Sequence, residues 1–120
     1  MKVAVSAHGP DLSAPVEVRF GRAPGFVIVD TESGNVEHVD NREAAGAGQG
    51  AGIQAARRMA EHGVQVVLTG HCGPNAFRAL SAAGIKIYNT EAPTVAGALE
   101  QFRSGKLAES ASADVEGHWA

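Results

Sequence analysis

The residues with the most chemistry to offer in this chain are few and fall at two places. Cys72 is the only cysteine, and it lies in the run Gly70-His71-Cys72-Gly73-Pro74. A proline suited to a first helical position follows it, so the thiol precedes a predicted helix N-terminus, where the dipole lowers a thiol pKa. Three roles are open to it: a soft ligand for copper or an iron–sulfur-type cluster, a nucleophile, or a small half-buried residue ending a strand. The second place is Arg19-Phe20-Gly21-Arg22. Two guanidinium groups near Ser6 and His8 can cradle a multiply charged anion through charge-assisted hydrogen bonds. Asp11 and Glu17 nearly balance their charge, and two solvated arginines explain the same pattern.

A third feature is the run Gly46-Ala47-Gly48-Gln49-Gly50-Ala51-Gly52. It lacks the Lys-Ser/Thr ending of a nucleotide P-loop and comes after the second strand of a hairpin, unlike a dinucleotide fingerprint. Exposed amides at a helix start can still hold an anion. Close packing or a loop that is flexible without ligand fits better, because glycine has the most backbone entropy to lose. One cysteine excludes an intramolecular disulfide and any all-cysteine zinc or iron–sulfur site within one chain. The five histidines show no familiar zinc spacing. His38 and His62 read as solvated, and His118-Trp119 either covers a site or belongs to a loose tail.

These groups need a scaffold, and the hydrophobic pattern supplies one. Lys2–Ser6 reads as a buried strand, and Pro10, Pro15 and Pro24 with Gly9, Gly21 and Gly25 make the next stretch an ordered loop. Phe26–Asp30, a turn at Glu32-Ser33-Gly34-Asn35 and Val36–Asp40 form an antiparallel hairpin. A helix opens in Asn41–Gly52, with Ile53, Ala56, Met59 and Ala60 as its apolar face and Gly63 as its stop. Val64–Thr69 is a β-branched strand, Pro74 starts a second helix that packs Phe77 and Leu80 and stops at Gly84, and Ile85–Tyr88 is a further strand. A third helix starts near Thr94, uses Val95, Leu99 and Phe102, and ends at Gly105. Strand–helix–strand repeats require parallel pairing. The expected fold is therefore a single-domain α/β structure with a five-stranded mixed sheet and three helices. Residues 1–105 form the domain and 106–120 a tail. Ligands of such sheets sit beyond the carboxyl ends of strands, which selects the loops after Ser6 and Thr69.

Of 120 residues, 22 are alanine and 15 glycine, while Val, Ile, Leu and Phe together number 26. This composition implies one domain with a thin, closely packed core. A net charge of −3 excludes a globally basic surface for nucleic acid. No apolar run approaches the ~20 residues of a membrane span. The chain enters a strand at once, without a signal peptide, and a reducing cytoplasm is the default compartment.

Val16-Glu17-Val18-Arg19-Phe20-Gly21-Arg22-Ala23, Leu68 through Phe77 and Ala82 through Tyr88 carry a family likeness. The sequence resembles the dinitrogenase iron–molybdenum cofactor biosynthesis family, the nitrogenase accessory factor-like proteins, over roughly residues 1–102. Within it the chain is most like the orange-protein group of sulfate-reducing bacteria. The resemblance implies a ribonuclease H-like motif without nuclease activity and non-covalent carriage of a molybdenum-containing metal–sulfur cluster. That cluster is a molybdenum–copper sulfide in orange proteins and iron–molybdenum cofactor or a precursor in their relatives. It implies a carrier or assembly factor rather than an enzyme, with a cluster acceptor or a ParA/Mrp-type ATPase as partner. The expected cluster-binding residues are Ser6, His8, Arg19, Arg22, Gly70, His71, Cys72 and Gly73, with His71 and Cys72 as candidate metal ligands. Many cofactor carriers of this kind place a histidine just before Phe-Gly, where Arg19 stands here. That departure favours electrostatic capture over histidine ligation in this loop. A cysteine-nucleophile enzyme using Cys72 and a regulatory partner-binding domain are the competing readings.

Overall fold

Alternation of side chains along the strands builds a core on both faces of one sheet. A computed structural model describes residues 1–47 and 50–111. Its strands are β1 (Lys2–Ala7), β2 (Gly25–Asp30), β3 (Val36–Asp40), β4 (Val66–Thr69) and β5 (Lys86–Asn89), ordered β3-β2-β1-β4-β5. β1 pairs antiparallel with β2 and parallel with β4, β2 antiparallel with β3, and β4 parallel with β5. The register sets Val3 beside Val66 and Val5 beside Leu68. One face carries Ala4, Phe26, Ile28, Val67 and Ile87; the other carries Val3, Val5, Val27, Val29 and Leu68. Val3, Val5, Val66, Leu68 and Ile87 are all buried, as expected from the strand pattern.

Four α-helices accompany the sheet, not three: α1 (Arg42–Ala45), α2 (Ala51–Glu61), α3 (Pro74–Ala82) and α4 (Val95–Arg103). The extra one is a single turn cut from the start of the expected first helix. Asp40 Oδ1 accepts the Arg42 amide at 2.9 Å to start it, and its last donors close on Ala44 and Arg42 carbonyls at Gly46. The expectation of a flexible Gly46–Gly52 falls partly on Gly48 and Gln49, which lie outside the described residues.

Helices α2 and α3 cover the Ala4 face through Ala55, Ala56, Met59, Ala76 and Leu80, while α4 covers the opposite face through Val95, Ala98 and Leu99. The buried stripe of α2 is Ala51, Ala55, Ala56 and Met59, which corrects the face read from sequence: Ile53 is exposed and Ala60 lies outside. Small residues let α2 approach its neighbours closely, and that packing outweighs the preference of one isoleucine. The glycine stops are as expected. Gly63 has φ +73°, its amide bonds Ala60 O, and the Val64 amide reaches back to Met59 O; Gly84 and Gly105 close α3 and α4 with the same pattern.

Lys106–Ser110 does not simply trail away. Glu109 bridges Tyr88, and the Ser110 amide donates to Ile87 O at 2.7 Å, so this stretch runs along the outer edge of β5. His118-Trp119 lies outside the described residues. Among the described residues, no helix is long and apolar enough to cross a membrane.

Candidate functional site

Where β1 ends, Ser6 is fully buried. Its hydroxyl donates to Glu17 O at 2.7 Å and lies 2.8 Å from Thr69 Oγ1, tying the ends of β1 and β4 to the returning chain. Ser6 is thus a fully buried structural tie. His8 Nε2 is 3.0 Å from Glu17 Oε1. It lines a cleft of about 270 Å³ with His38, Asp40 and Arg42, apart from the other predicted residues.

The segment after Glu17 is fastened to the turn after β4. The His71 amide donates to Val18 O at 2.6 Å and the Phe20 amide to His71 O at 3.0 Å, forming a parallel bridge between Arg19 and His71. The close approach explains Gly70: a Cβ there would stand 2.8 Å from Val18 O. Gly70 opens on a cleft of about 490 Å³ with Val18, His71, Asn89, Thr90 and Glu91, which adjoins at His71 the cleft that Arg19 lines. A 3-10 turn at Phe20–Arg22 comes next, anchored by buried Phe20 against Phe26, with ring centroids 5.2 Å apart. Gly21 then meets Gly52: a Cβ on Gly21 would lie 2.9 Å from the Gly52 backbone. Arg22 Nη1 donates to Ala45 O at 2.9 Å and Ala47 O at 2.8 Å, holding the chain between α1 and α2.

These contacts enclose a cleft of about 430 Å³, lined by Arg19, Phe20, Gly21, Arg22, Gly50, Ala51, Gly52, His71, Gly73, Pro74, Asn75 and Ala76. Two helix N-termini reach it. Gly50 and Gly73 occupy the N-cap positions of α2 and α3; among the described residues, neither helix has a side-chain cap or an acidic residue in its first turn. The contrast is α4, whose Thr94 hydroxyl accepts the Gly97 amide at 3.1 Å. First-turn amides of α2 and α3 therefore carry the partial positive charge that a capping oxygen or carboxylate would offset. No carboxylate is among the described lining residues. Arg19 and His71 are exposed there, and the whole arrangement suits an anion.

Cys72 lies outside this lining. It is 1% exposed and packed in the apolar cluster with Phe20, Ala76 and Leu80. The structure thus brings Arg19, Arg22, His71 and Gly73 together and leaves Ser6, His8, Gly70 and Cys72 off the cleft. No set of three or more His, Cys, Asp or Glu side chains among the described residues is placed to hold a metal ion. The run Gly46–Gly52, whose sequence suits close packing or a flexible loop better than a nucleotide site, contributes Gly50–Gly52 as one wall. The usable signal was a glycine, in place of Ser, Thr, Asp or Asn, before each of two helices.

The profile of the dinitrogenase iron-molybdenum cofactor family matches residues 1–105. The chain belongs to that family. Among solved structures, the apo orange protein from Desulfovibrio gigas is 44% identical, with a TM-score of 0.92 over 95% of this chain and 96% of that one. A Thermotoga protein of the DUF35 family is 42% identical, with a TM-score of 0.79 over 90% and 91% of the two chains. A Methanocaldococcus jannaschii protein shares the fold at 19% identity, with a TM-score of 0.71 over 93% and 96%. No curated protein matches the chain.

Proposed function

We propose that this protein is a non-catalytic carrier or assembly factor that holds an anionic molybdenum-containing metal–sulfur cluster in the cleft between Arg19 and the starts of α2 and α3. The observation that carries the reading is the convergence of two uncapped helix N-termini with Arg19, Arg22 and His71 on one cleft. Family membership and the likeness to an orange protein support a cofactor-binding or assembly role. A molybdenum–copper sulfide is the cargo we favour, with iron–molybdenum cofactor or a precursor as the alternative. The cleft offers amides and guanidinium groups and keeps the soft thiol of Cys72 behind it, so capture is electrostatic, with His71 as the side chain best placed to touch a metal. Burial of Cys72 also counts against a cysteine-nucleophile enzyme.

The 3-2-1-4-5 strand order with β2 antiparallel suits the ribonuclease H-like motif implied by the resemblance. We assign the carrier domain to residues 1–105, with 106–120 as an appendage, and place the protein in the cytoplasm with a cluster acceptor as partner. A ParA/Mrp-type ATPase receives no support from the relatives. Anaerobic reconstitution with tetrathiomolybdate and copper tests the reading. Visible charge-transfer bands and stoichiometric molybdenum, both reduced by Arg19→Ala and by salt, are the expected result. A colourless, metal-free protein after reconstitution would sink it.

A further inference from the structure

Glu17 is a charged residue in an unusual position, and cluster carriage alone makes no use of it. Its side chain is only 10% exposed, and both oxygens are engaged. Oε1 lies 3.0 Å from His8 Nε2. Oε2 accepts the Arg19 amide at 2.6 Å and stands 3.8 Å from Arg19 Nε. The backbone of Glu17 is independently fixed, its amide donating to Ser6 O at 2.8 Å and its carbonyl accepting the Ser6 hydroxyl. The loop is therefore tied down without the carboxylate. A neutral amide would complete the remaining bonds at a smaller desolvation cost, so the negative charge itself calls for an explanation.

That charge sits directly behind a lining cation of the cleft. Arg19 is 68% exposed at its side chain and faces the cleft while its Nε stays in ion-pair range of Glu17. We propose that Glu17 is a positioning residue that restrains Arg19 and sets how tightly the cleft holds a multiply charged anion, with His8 competing for the same carboxylate. The inference rests on the carrier reading and deepens it. A carrier has to release its cargo, and a fixed carboxylate beside the main exposed guanidinium lowers affinity without filling the cleft. The chain from His8 through Glu17 to Arg19 also links the 270 Å³ cleft, which His8 lines, to the 430 Å³ cleft.

The test is anaerobic titration of the full chain with tetrathiomolybdate alone, at several salt concentrations, in wild type, Glu17→Gln, His8→Ala, Arg19→Ala and Glu17→Gln/Arg19→Ala. Glu17→Gln keeps the shape and removes the charge. Its expected effect is binding roughly threefold to thirtyfold tighter, with a steeper loss in salt. His8→Ala moves the other way by leaving the carboxylate wholly to Arg19, and thermal melts of each variant check that it is folded. In the Arg19→Ala background the Glu17→Gln gain disappears. Wild-type binding that depends on Arg19 but is unchanged or weakened by Glu17→Gln overturns this inference and leaves the carrier reading standing. A gain that persists without Arg19 overturns it too. Failure of every variant and of wild type to bind the anion overturns both.

Discussion

At the residue scale the two arginines differ in kind. Arg19 projects its charge into the cleft, whereas Arg22 spends hydrogen bonds on Ala45 O and Ala47 O. Arg19→Ala is expected to weaken tetrathiomolybdate binding by about threefold to tenfold, with little change in melting temperature. Arg22→Ala weakens binding and also loosens the α1–α2 connection, at about 1 kcal/mol. Parallel titration and thermal melts separate the two. Cys72→Ser places a hydroxyl in an apolar cluster and costs roughly 1–3 kcal/mol in urea unfolding, while a reconstituted cluster keeps its spectrum. A shifted charge-transfer band would instead show thiolate ligation. Asp40 supplies a pH marker. Hydrogen bonds from the Arg42 side chain and amide lower its pKa to about 2. A carboxyl depressed in the folded state stabilises it above the ordinary Asp pKa, ~3.9, and loses that contribution as pH falls through about 2. Carboxyl NMR titration should find the midpoint near that value, rising toward ~3.9 in Arg42→Ala.

At the element scale the cleft exists because three segments approach more closely than side chains ordinarily allow. Gly21 touches Gly52 at the start of α2, and a Cβ on Gly52 would stand 2.9 Å from Ala76 Cβ in α3. Both helix N-termini are thereby held against one arginine-bearing turn. Gly21→Val forces α2 away and is expected to cost about 1–3 kcal/mol in urea unfolding and to abolish anion binding. Gly73→Ala is the control. Gly73 has φ −69°, and nothing lies within 4 Å of an added Cβ, so stability should stay within about 0.5 kcal/mol of wild type.

Across the whole molecule the two sides of the sheet are unequally covered. Helices α2 and α3 shield one face, while α4, with Phe102 near its end, shields the other together with loop residues Ala14 and Ala92 and with Leu107 at the β5 side. Tyr88 and Phe102 meet edge to face there, with centroids 5.1 Å apart. Lys106–Ser110 adds a backbone bond to Ile87 O along the same edge. Truncation after Gly105 is expected to lower stability by about 1–2 kcal/mol through loss of Leu107 burial and that bond. Calorimetry measures the loss, and faster exchange of the amides in β5 would locate it.

The strands, their hairpin and the glycine stops of the helices are legible in the amino-acid sequence. Each rests on local physics: an unbroken apolar run around Val3-Ala4-Val5 that is buried on both faces of the sheet, a turn at Gly34, and left-handed glycines at 63, 84 and 105. The sequence also marked Arg19, Arg22 and His71 as groups of interest. Tertiary structure alone decided which of them meet. The Arg19–His71 bridge joins residues about fifty apart in the chain, and no local pattern encodes a backbone pairing of that kind. Full burial of Cys72 was equally hidden, because a small side chain just after a strand suits a cleft and a core alike until its neighbours are placed. The turn of α2 that exposes Ile53 has the same origin. Hydrophobicity alone would turn Ile53 toward the sheet, but the close approach of Gly52 to Gly21 and Ala76 favours the rotation that leaves it exposed.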